Sequence, residues 1–268
     1  KFEIFKDAIC CPKCHADLDL HKGQCPQCDN RFTVQENQLV FDDVEIFNQT
    51  NSGWLNEIKG KVKQRVHFIY PLLVDLLSPV ARLYSPLSFL PKKDIESGLI
   101  VNLGCGTTQF GPRILNLDQA NYQNVDIVSE IENLPLKNNS VDAIINIAVL
   151  EHVPDPHKVI KEFHRILKPG GVVFCLIPFM QGIHASPYVF QLYTSDGIPH
   201  LFKDFNVQKI YPLGPTSGFL WIFQEWLALV LSFGSSTLYK IIFPLTWILS
   251  PIKFLDLFLK KIENFLTW

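Results

Sequence analysis

The chain of 268 residues predicts an α/β protein on a mostly parallel sheet, flanked by a cysteine-rich N-terminal segment and a hydrophobic, helical C-terminal one. Three observations carry this. From residue 99 onward, β-branched apolar runs alternate with turn signals and helical runs, the pattern of parallel strands joined by crossovers. Five of the seven cysteines fall within residues 10–28. From residue 219 the chain becomes aromatic and aliphatic, with very few charges. The implied organisation is a ribbon over 1–45, a helical linker over 46–97, an α/β domain over 98–218 and a hydrophobic helical segment over 219–268.

The formal net charge is −2 and the mean hydropathy +0.14. A near-neutral chain has no general attraction for nucleic acid, which argues against that class of partner. The N-terminus shows no apolar h-region, so the expected location is cytoplasmic, at the inner face of a membrane if the C-terminal segment touches lipid. The first residue is Lys1, as in a fragment or a processed form.

Cys11-Pro-Lys-Cys14 and Cys25-Pro-Gln-Cys28 are two CxxC turns ten residues apart. Each turn aims two thiolates at one point, and two turns make a tetrahedron. Four sulfur ligands with no open position favour structural zinc, a Zn2+ site of Cys11, Cys14, Cys25 and Cys28. A redox dithiol is the competing reading. Cys10 is a neighbour rather than a ligand, with His15 and His21 as reserve ligands. So short a segment buries little core, and metal would supply most of its folding free energy. Short strands are expected over 17–20, 31–34 and 39–41.

Residues 46–97 carry no nameable chemistry. The stretch from Trp54 to Phe68 looks amphipathic, and prolines at 71, 79, 86 and 91 cut the apolar run that follows. These pieces either cover the α/β domain, or help roof a substrate pocket or touch lipid.

In the α/β domain, strands are expected at 99–103, 113–117, 124–128, 141–147, 171–177 and 206–211. A helix is expected over 156–167, with Val159, Ile160, Phe163, Ile166 and Leu167 at helical spacing. Lys168-Pro-Gly-Gly171 stops it. A second helix is expected over 194–203. The first strand ends abruptly at Gly104-Cys-Gly106, and a second apolar run ends at Asp118. A nucleoside cofactor needs this pairing: a turn without side chains for close backbone approach, and a carboxylate for the ribose hydroxyls.

Asn102-Leu-Gly-Cys-Gly106, Asn133-Leu-Pro-Leu136, Val141-Asp-Ala-Ile-Ile-Asn-Ile147, Val149-Leu-Glu-His-Val153 and Ile166-Leu-Lys-Pro-Gly-Gly171 follow one another over residues 99–178. In order and spacing they resemble the motifs of class I S-adenosylmethionine-dependent methyltransferases of the type 11 kind. The cysteine segment resembles the small zinc ribbon that accompanies many of them. The resemblance implies a Rossmann-like, doubly wound sheet and S-adenosyl-L-methionine as cofactor. It places Asn102, Gly104, Cys105 and Gly106 under the methionine portion, Asp118 on the ribose, Glu130 and Ile131 at the adenine, and Asn146 and Ile147 at the sulfonium end. Two departures stand out. Asn102 occupies a position that is often acidic in the family. Only six residues separate Gly106 from Arg113, too few for a full crossover helix, so a turn is expected there. The stretch from Asp118 to Val125 is equally short.

A general base is needed only where the acceptor must lose a proton. His152 and His184 are the catalytic candidates, both expected on loops at the carboxyl ends of strands, where such sheets bind ligands. Glu151 could orient a base, and Tyr188, Gln191 and Tyr193 could line an acceptor site.

Beyond residue 219, Gly234-Ser-Ser236, Pro244 and Pro251 break the apolar runs. Two readings fit. One is an interfacial or re-entrant helical pair in peripheral contact with membrane, anchored by Trp221, Trp226, Trp247 and Trp268. The other is a buried insertion over a hydrophobic acceptor pocket. No second strand is read after 206–211, where the family usually ends in a hairpin. The leading functional expectation is methyl transfer to a small-molecule or lipid-like acceptor. The alternatives are rRNA base methylation and a non-catalytic membrane- or partner-binding protein on the same scaffold.

Overall fold

A computed structural model describes residues 2–35, 38–42, 44, 76–78, 85–179, 188–210 and 214–257. The chain divides into two compact units. The first comprises Lys1–Thr50, Pro86–Ile177 and Ser186–Val207, and the second Asn51–Ser85, Pro178–Ala185 and Gln208–Trp268.

The first unit holds a seven-stranded sheet. Its strands are β1 (Phe32–Gln35), β2 (Gln38–Phe41), β3 (Ile100–Leu103), β4 (Ile114–Asp118), β5 (Ile127–Val128), β6 (Val141–Ile147) and β7 (Leu167–Leu176). Their order is β1-β2-β5-β4-β3-β6-β7. Every pairing is parallel except the β1–β2 hairpin. All four residues of β3 are buried, as expected of a central strand covered on both faces. The middle of the sheet matches the expected strands, although β5 has two residues of the five anticipated and β7 starts earlier, at Leu167. The strand expected at 206–211 does not form over 206–210. That segment is exposed, with Val207 and Ile210 in water, so its apolar residues have no sheet face to join.

The cysteine segment is built into this sheet. β2 lies parallel to β5, with Leu39 opposite Ile127 and Val40 opposite Val128. Further back, Cys10 N–H donates to the Pro135 carbonyl and Lys137 N–H to the Ala8 carbonyl. Arg165 secures the same stretch from the other side. It makes a two-pronged contact with Glu162 at 2.6 Å and donates to the Leu134 and Leu136 carbonyls. The Asn133–Leu136 motif is thus a strap between the ribbon and the helix that carries Arg165. Of the strands expected in the ribbon, 17–20 reduces to one bridge between Asp17 and Cys10.

A short helix α1 (Lys92–Ser97) precedes β3, and α2 (Pro156–Ile166) joins β6 to β7. α2 opens with Pro at its first position and buries Val159, Ile160, Phe163 and Ile166, the face read from the sequence. Each such side chain stabilises the fold by about 1.5–3 kcal/mol. The second expected helix is α3, limited to Gly197–Leu201. Residues 104–113 and 119–126 contain no helix, so both short crossovers are loops, as their lengths required.

The second unit is described mainly over α4 (Pro215–Leu231), α5 (Ser236–Thr246) and a 3-10 continuation, Trp247–Leu255. Phe233 and Gly234, both at positive φ, reverse the chain between α4 and α5. The Ser235 side chain caps α5 by accepting from Leu238 N–H.

Candidate functional site

The loop leaving β3 is held on three sides. Gly104 and Cys105 N–H groups both donate to the Leu117 carbonyl, which bends the chain back over β4. Gly104 has φ of +68°, and a Cβ there would sit 2.3 Å from Val149 Cγ2, so the position requires glycine twice over. Gly106, at φ +52°, meets nothing within 4 Å and looks onto open space. Asp118, at the end of β4, accepts the Gly106 N–H at 2.7 Å and the Ala120 N–H at 2.8 Å, one on each carboxylate oxygen. The Gln119 N–H also acts on this carboxylate. Burial raises the Asp118 pKa above the usual carboxylate range, against the lowering effect of the Ala120, Gly106 and Gln119 N–H groups.

In place of a crossover helix, three asparagines brace this loop. Asn102 donates to the Thr108 carbonyl at 3.3 Å and to Asn116 Oδ1 at 3.1 Å. Asn116 donates to the Asn124 carbonyl, and Asn124 donates to the Gly106 carbonyl at 2.9 Å. This explains the amide at 102: a carboxylate there could donate to neither oxygen.

These elements enclose a cavity of about 360 Å³ at the carboxyl ends of β3, β4 and β6. Its lining includes Gly104, Cys105, Gly106, Asp118, Ile131 and Ile147, six of the nine positions expected at a cofactor. The other three do not line it. Asn102 is buried within the loop's bracing. Asn146 turns away, donating to the Leu103 carbonyl at 3.1 Å and accepting from the Cys175 thiol. Since Ile147 faces the cavity, strand alternation puts Asn146 on the other face. Glu130 falls between two lining residues, Ser129 and Ile131, in the irregular stretch after β5, and is not part of the lining. Ser129 was not read from the sequence. It is 3% exposed and its Oγ has no hydrogen-bond partner among the described residues, which leaves a buried polar atom available to a ligand. Ala148 was missed as well: it lines the cavity at φ +54°, a conformation costly for a residue with a Cβ.

His152 lines the same cavity. Its Nδ1 lies 2.5 Å from the Tyr188 carbonyl, which only accepts, so Nδ1 carries the proton and the neutral ring keeps its lone pair on Nε2. Nε2 is 3.7 Å from Glu151 Oε1. Glu151 is fully buried and neither carboxylate oxygen has a hydrogen-bond partner. Burial raises its pKa, opposed by its own backbone N–H and by His152. Gln191 fixes the turn, donating to the Leu150 and Val153 carbonyls, and Phe190 N–H donates to the Glu151 carbonyl. Tyr188 and Phe190, both exposed, stand beside His152. His184 lies outside the described residues.

The four sulfurs of Cys11, Cys14, Cys25 and Cys28 lie within 4.8 Å of one another, and no histidine joins the cluster. Zn–S bonds of about 2.3 Å would set sulfurs roughly 3.8 Å apart, so the cluster fits zinc. His15 and Asp29, just after the two turns, have positive φ, closing the loops tightly. Burial opposes ionisation of Cys25, yet the Gln27 and Cys28 N–H groups and the neighbouring thiols bring its pKa down to about 7. Burial pushes the Cys10 thiol up to about 12, and Cys10 stands outside the cluster.

The sheet order and the glycine loop with its carboxylate match a Rossmann-like methyltransferase fold. Residues 101–175 match the family model described as "Methyltransferase domain". Demethylmenaquinone methyltransferase of Staphylococcus epidermidis is 34% identical over 91 residues, 34% of this chain and 38% of that protein. The mitochondrial ubiquinone biosynthesis O-methyltransferase of Dictyostelium discoideum is 26% identical over 191 residues, 56% of this chain and 59% of that one. The chain thus spans less than two thirds of the length of these curated relatives. A solved S-adenosylmethionine dependent methyltransferase from Mesorhizobium loti aligns over 54% of this chain and 90% of its own, with 17% identity and a TM-score of 0.40.

Proposed function

We propose that this protein transfers a methyl group from S-adenosylmethionine to a small, lipid-like acceptor. The observation that carries the reading is the carboxylate of Asp118, at the end of β4, held at the wall of the cavity by backbone N–H groups that include those of Gly106 and Ala120. A carboxylate fixed in that place suits the ribose hydroxyls. The orphaned Ser129 hydroxyl suits a polar edge of the adenine, with Ile131, Leu134 and Tyr122 as apolar walls. The bare backbone at Gly106 admits the amino-acid portion. When bound, the cofactor supplies an electrophilic methyl on a sulfonium.

This chain's part is positioning and proton removal. His152, with Nδ1–H committed to the Tyr188 carbonyl, takes the proton of an acceptor hydroxyl on Nε2 as the oxygen attacks. Glu151 then stabilises the imidazolium from 3.7 Å. Tyr188 and Phe190 offer aromatic surface to an apolar acceptor. The names of the two relatives, which concern menaquinone and ubiquinone, support acceptors of that kind. Zinc, held by Cys11, Cys14, Cys25 and Cys28, is structural, because all four ligands come from the protein. The scaffold alternative drew on Asn102 and the missing helix. The asparagine bracing accounts for both, and no observation favours an rRNA acceptor.

The test is calorimetric titration of the zinc-loaded chain with S-adenosylhomocysteine, for the wild type and for Asp118→Ala. Binding by the wild type and its loss in the variant are expected. A folded wild type that does not bind ends the methyltransferase reading. For the acceptor, label from the cofactor should enter the organic-soluble fraction of a cell extract; label confined to the aqueous fraction excludes a lipid-like acceptor.

A further inference from the structure

We propose that the helical hairpin Pro215–Leu255 inserts into the hydrocarbon layer of a lipid bilayer. The proposal stands on the second unit alone and does not depend on the cofactor site.

The hairpin is inverted relative to a water-soluble structure. Its buried side chains are Ser217, Gln224, Ser232, Thr246, Ser250 and Lys253, joined by Leu220 and Ala228. Its outward side chains are large and apolar: Phe219, Trp226 and Leu229 on α4, Ile241, Leu245 and Ile248 on the second arm, and Phe233 at the tip, 89% exposed. Water drives the opposite arrangement. In lipid, apolar side chains gain nothing by facing inward, and helices associate through small residues and hydrogen bonds. That is what the inner face provides: Gln224 donates to the Thr246 carbonyl and to Ser250 Oγ, both at 3.1 Å.

Apart from Gln224, which faces inward, and Glu225, its one charge, the body of helix α4 is apolar on its outward side as well as its inner one. Such a helix belongs in a core or in a membrane, and its exposed face rules out the core. The second arm, Ser236–Leu255, runs for 20 residues at a mean hydropathy of 1.3, with 17% of its apolar window buried. A core helix of equal hydropathy would be mostly buried. Twenty residues extend about 30 Å, the thickness of the hydrocarbon layer.

The charges are disposed accordingly. Asp256 accepts from the Thr216 and Ser217 N–H groups and the Ser217 hydroxyl, sealing the start of α4 at the open end of the hairpin. Lys253, also near that end, donates to the Ser78 carbonyl. Besides Lys253, the arms carry two charges, the half-buried Glu225 on α4 and, on α5, Lys240. It lies one turn from the tip, and its long stem can carry the ammonium to a headgroup. A second copy of the chain would cover one side of the hairpin and leave the tip in water. A bilayer covers both arms and the tip.

The test is flotation of the full, zinc-loaded chain with phosphatidylcholine vesicles, and separately with vesicles containing phosphatidylglycerol. The wild type is expected to float with both and to stay bound through an alkaline carbonate wash. The pair Ile241→Glu and Ile248→Glu should lower partitioning by roughly a thousandfold. Zinc content and amide protection in β3 and β6 should not change, and Ile241→Leu with Ile248→Leu should float as the wild type does. A wild type that stays at the bottom with both vesicles overturns the proposal. So does flotation only with phosphatidylglycerol that salt reverses, which is surface attraction. A discrete water-soluble oligomer that does not float assigns the face to a second copy.

Discussion

Gly104→Ala tests the cradle under the cofactor site most directly. The substitution adds one methyl group and acts in two ways. At φ +68°, a residue with a Cβ is strained by about 1–2 kcal/mol, of which roughly 0.4–1 kcal/mol is recovered because alanine restricts the unfolded chain. The new Cβ would then stand 2.3 Å from Val149 Cγ2 and 2.9 Å from Cγ1. Forcing such a group into packed structure costs about 1–3 kcal/mol. The expected loss is about 2–4 kcal/mol. Gly106→Ala is the control, with similar φ and nothing within 4 Å, and it should cost no more than about 1 kcal/mol. Val149→Ala placed on Gly104→Ala should return most of the difference, a coupling that a double-mutant cycle isolates. Amide hydrogen exchange in β3 and β6 is the suitable assay. The tryptophans among the described residues, Trp221, Trp226 and Trp247, lie on α4 and the 3-10 continuation, so their fluorescence reports on the second unit. Equal losses at Gly104 and Gly106, or no rescue by Val149→Ala, would refute the close approach.

Two further outcomes follow from groups already described. Glu151 is a carboxylate whose pKa is higher folded than unfolded, so the folded state holds its proton longer. Stability should therefore fall as pH rises from the ordinary carboxylate range through the raised value, and Glu151→Gln should reduce that slope in denaturant titrations across pH, leaving the part that Asp118 contributes. The same variant should slow methyl transfer while leaving S-adenosylhomocysteine affinity intact; unchanged turnover would remove Glu151 from the mechanism. For the ribbon, metal analysis should find one zinc per chain, and Cys14→Ser should lower its retention. Chelation should strip amide protection from β1 and β2 first, whereas protection that survives a metal-free state would deny zinc a structural part.

What the sequence disclosed and what it withheld follow from how far each signal travels. The glycine loop, the Asp118 pairing and the thiol cluster are local patterns, and each appears where it was read. The missing crossover helix was legible by counting, since six residues between Gly106 and Arg113 cannot hold one. The asparagine bracing was not: Asn102, Asn116 and Asn124 have no periodicity, and only the parallel register of β3 and β4 brings the first two side by side. Asn146 lies off the cavity because successive residues of β6 face opposite sides and Ile147 takes the cavity side. The joining of β2 to β5 had no local trace, because Leu39 and Ile127 are far apart in the chain. In the C-terminal segment composition was plain, but composition alone cannot tell which side of a helix faces inward. The burial of Gln224 and Ser250 supplied that.

The pairing of β2 with β5 has a consequence for biosynthesis. A ribosome delivers residues 32–41 long before residues 127–128, so the hairpin emerges while the edge it will join does not yet exist. Until then the outer side of Leu39–Phe41 is an unpaired strand edge bearing apolar side chains, a template for mispairing with other nascent chains. Early zinc capture would hold the hairpin in shape during that wait without covering the edge. Cells starved of zinc, or translating the middle of the message slowly, should accumulate this protein in aggregates seeded by its first fifty residues.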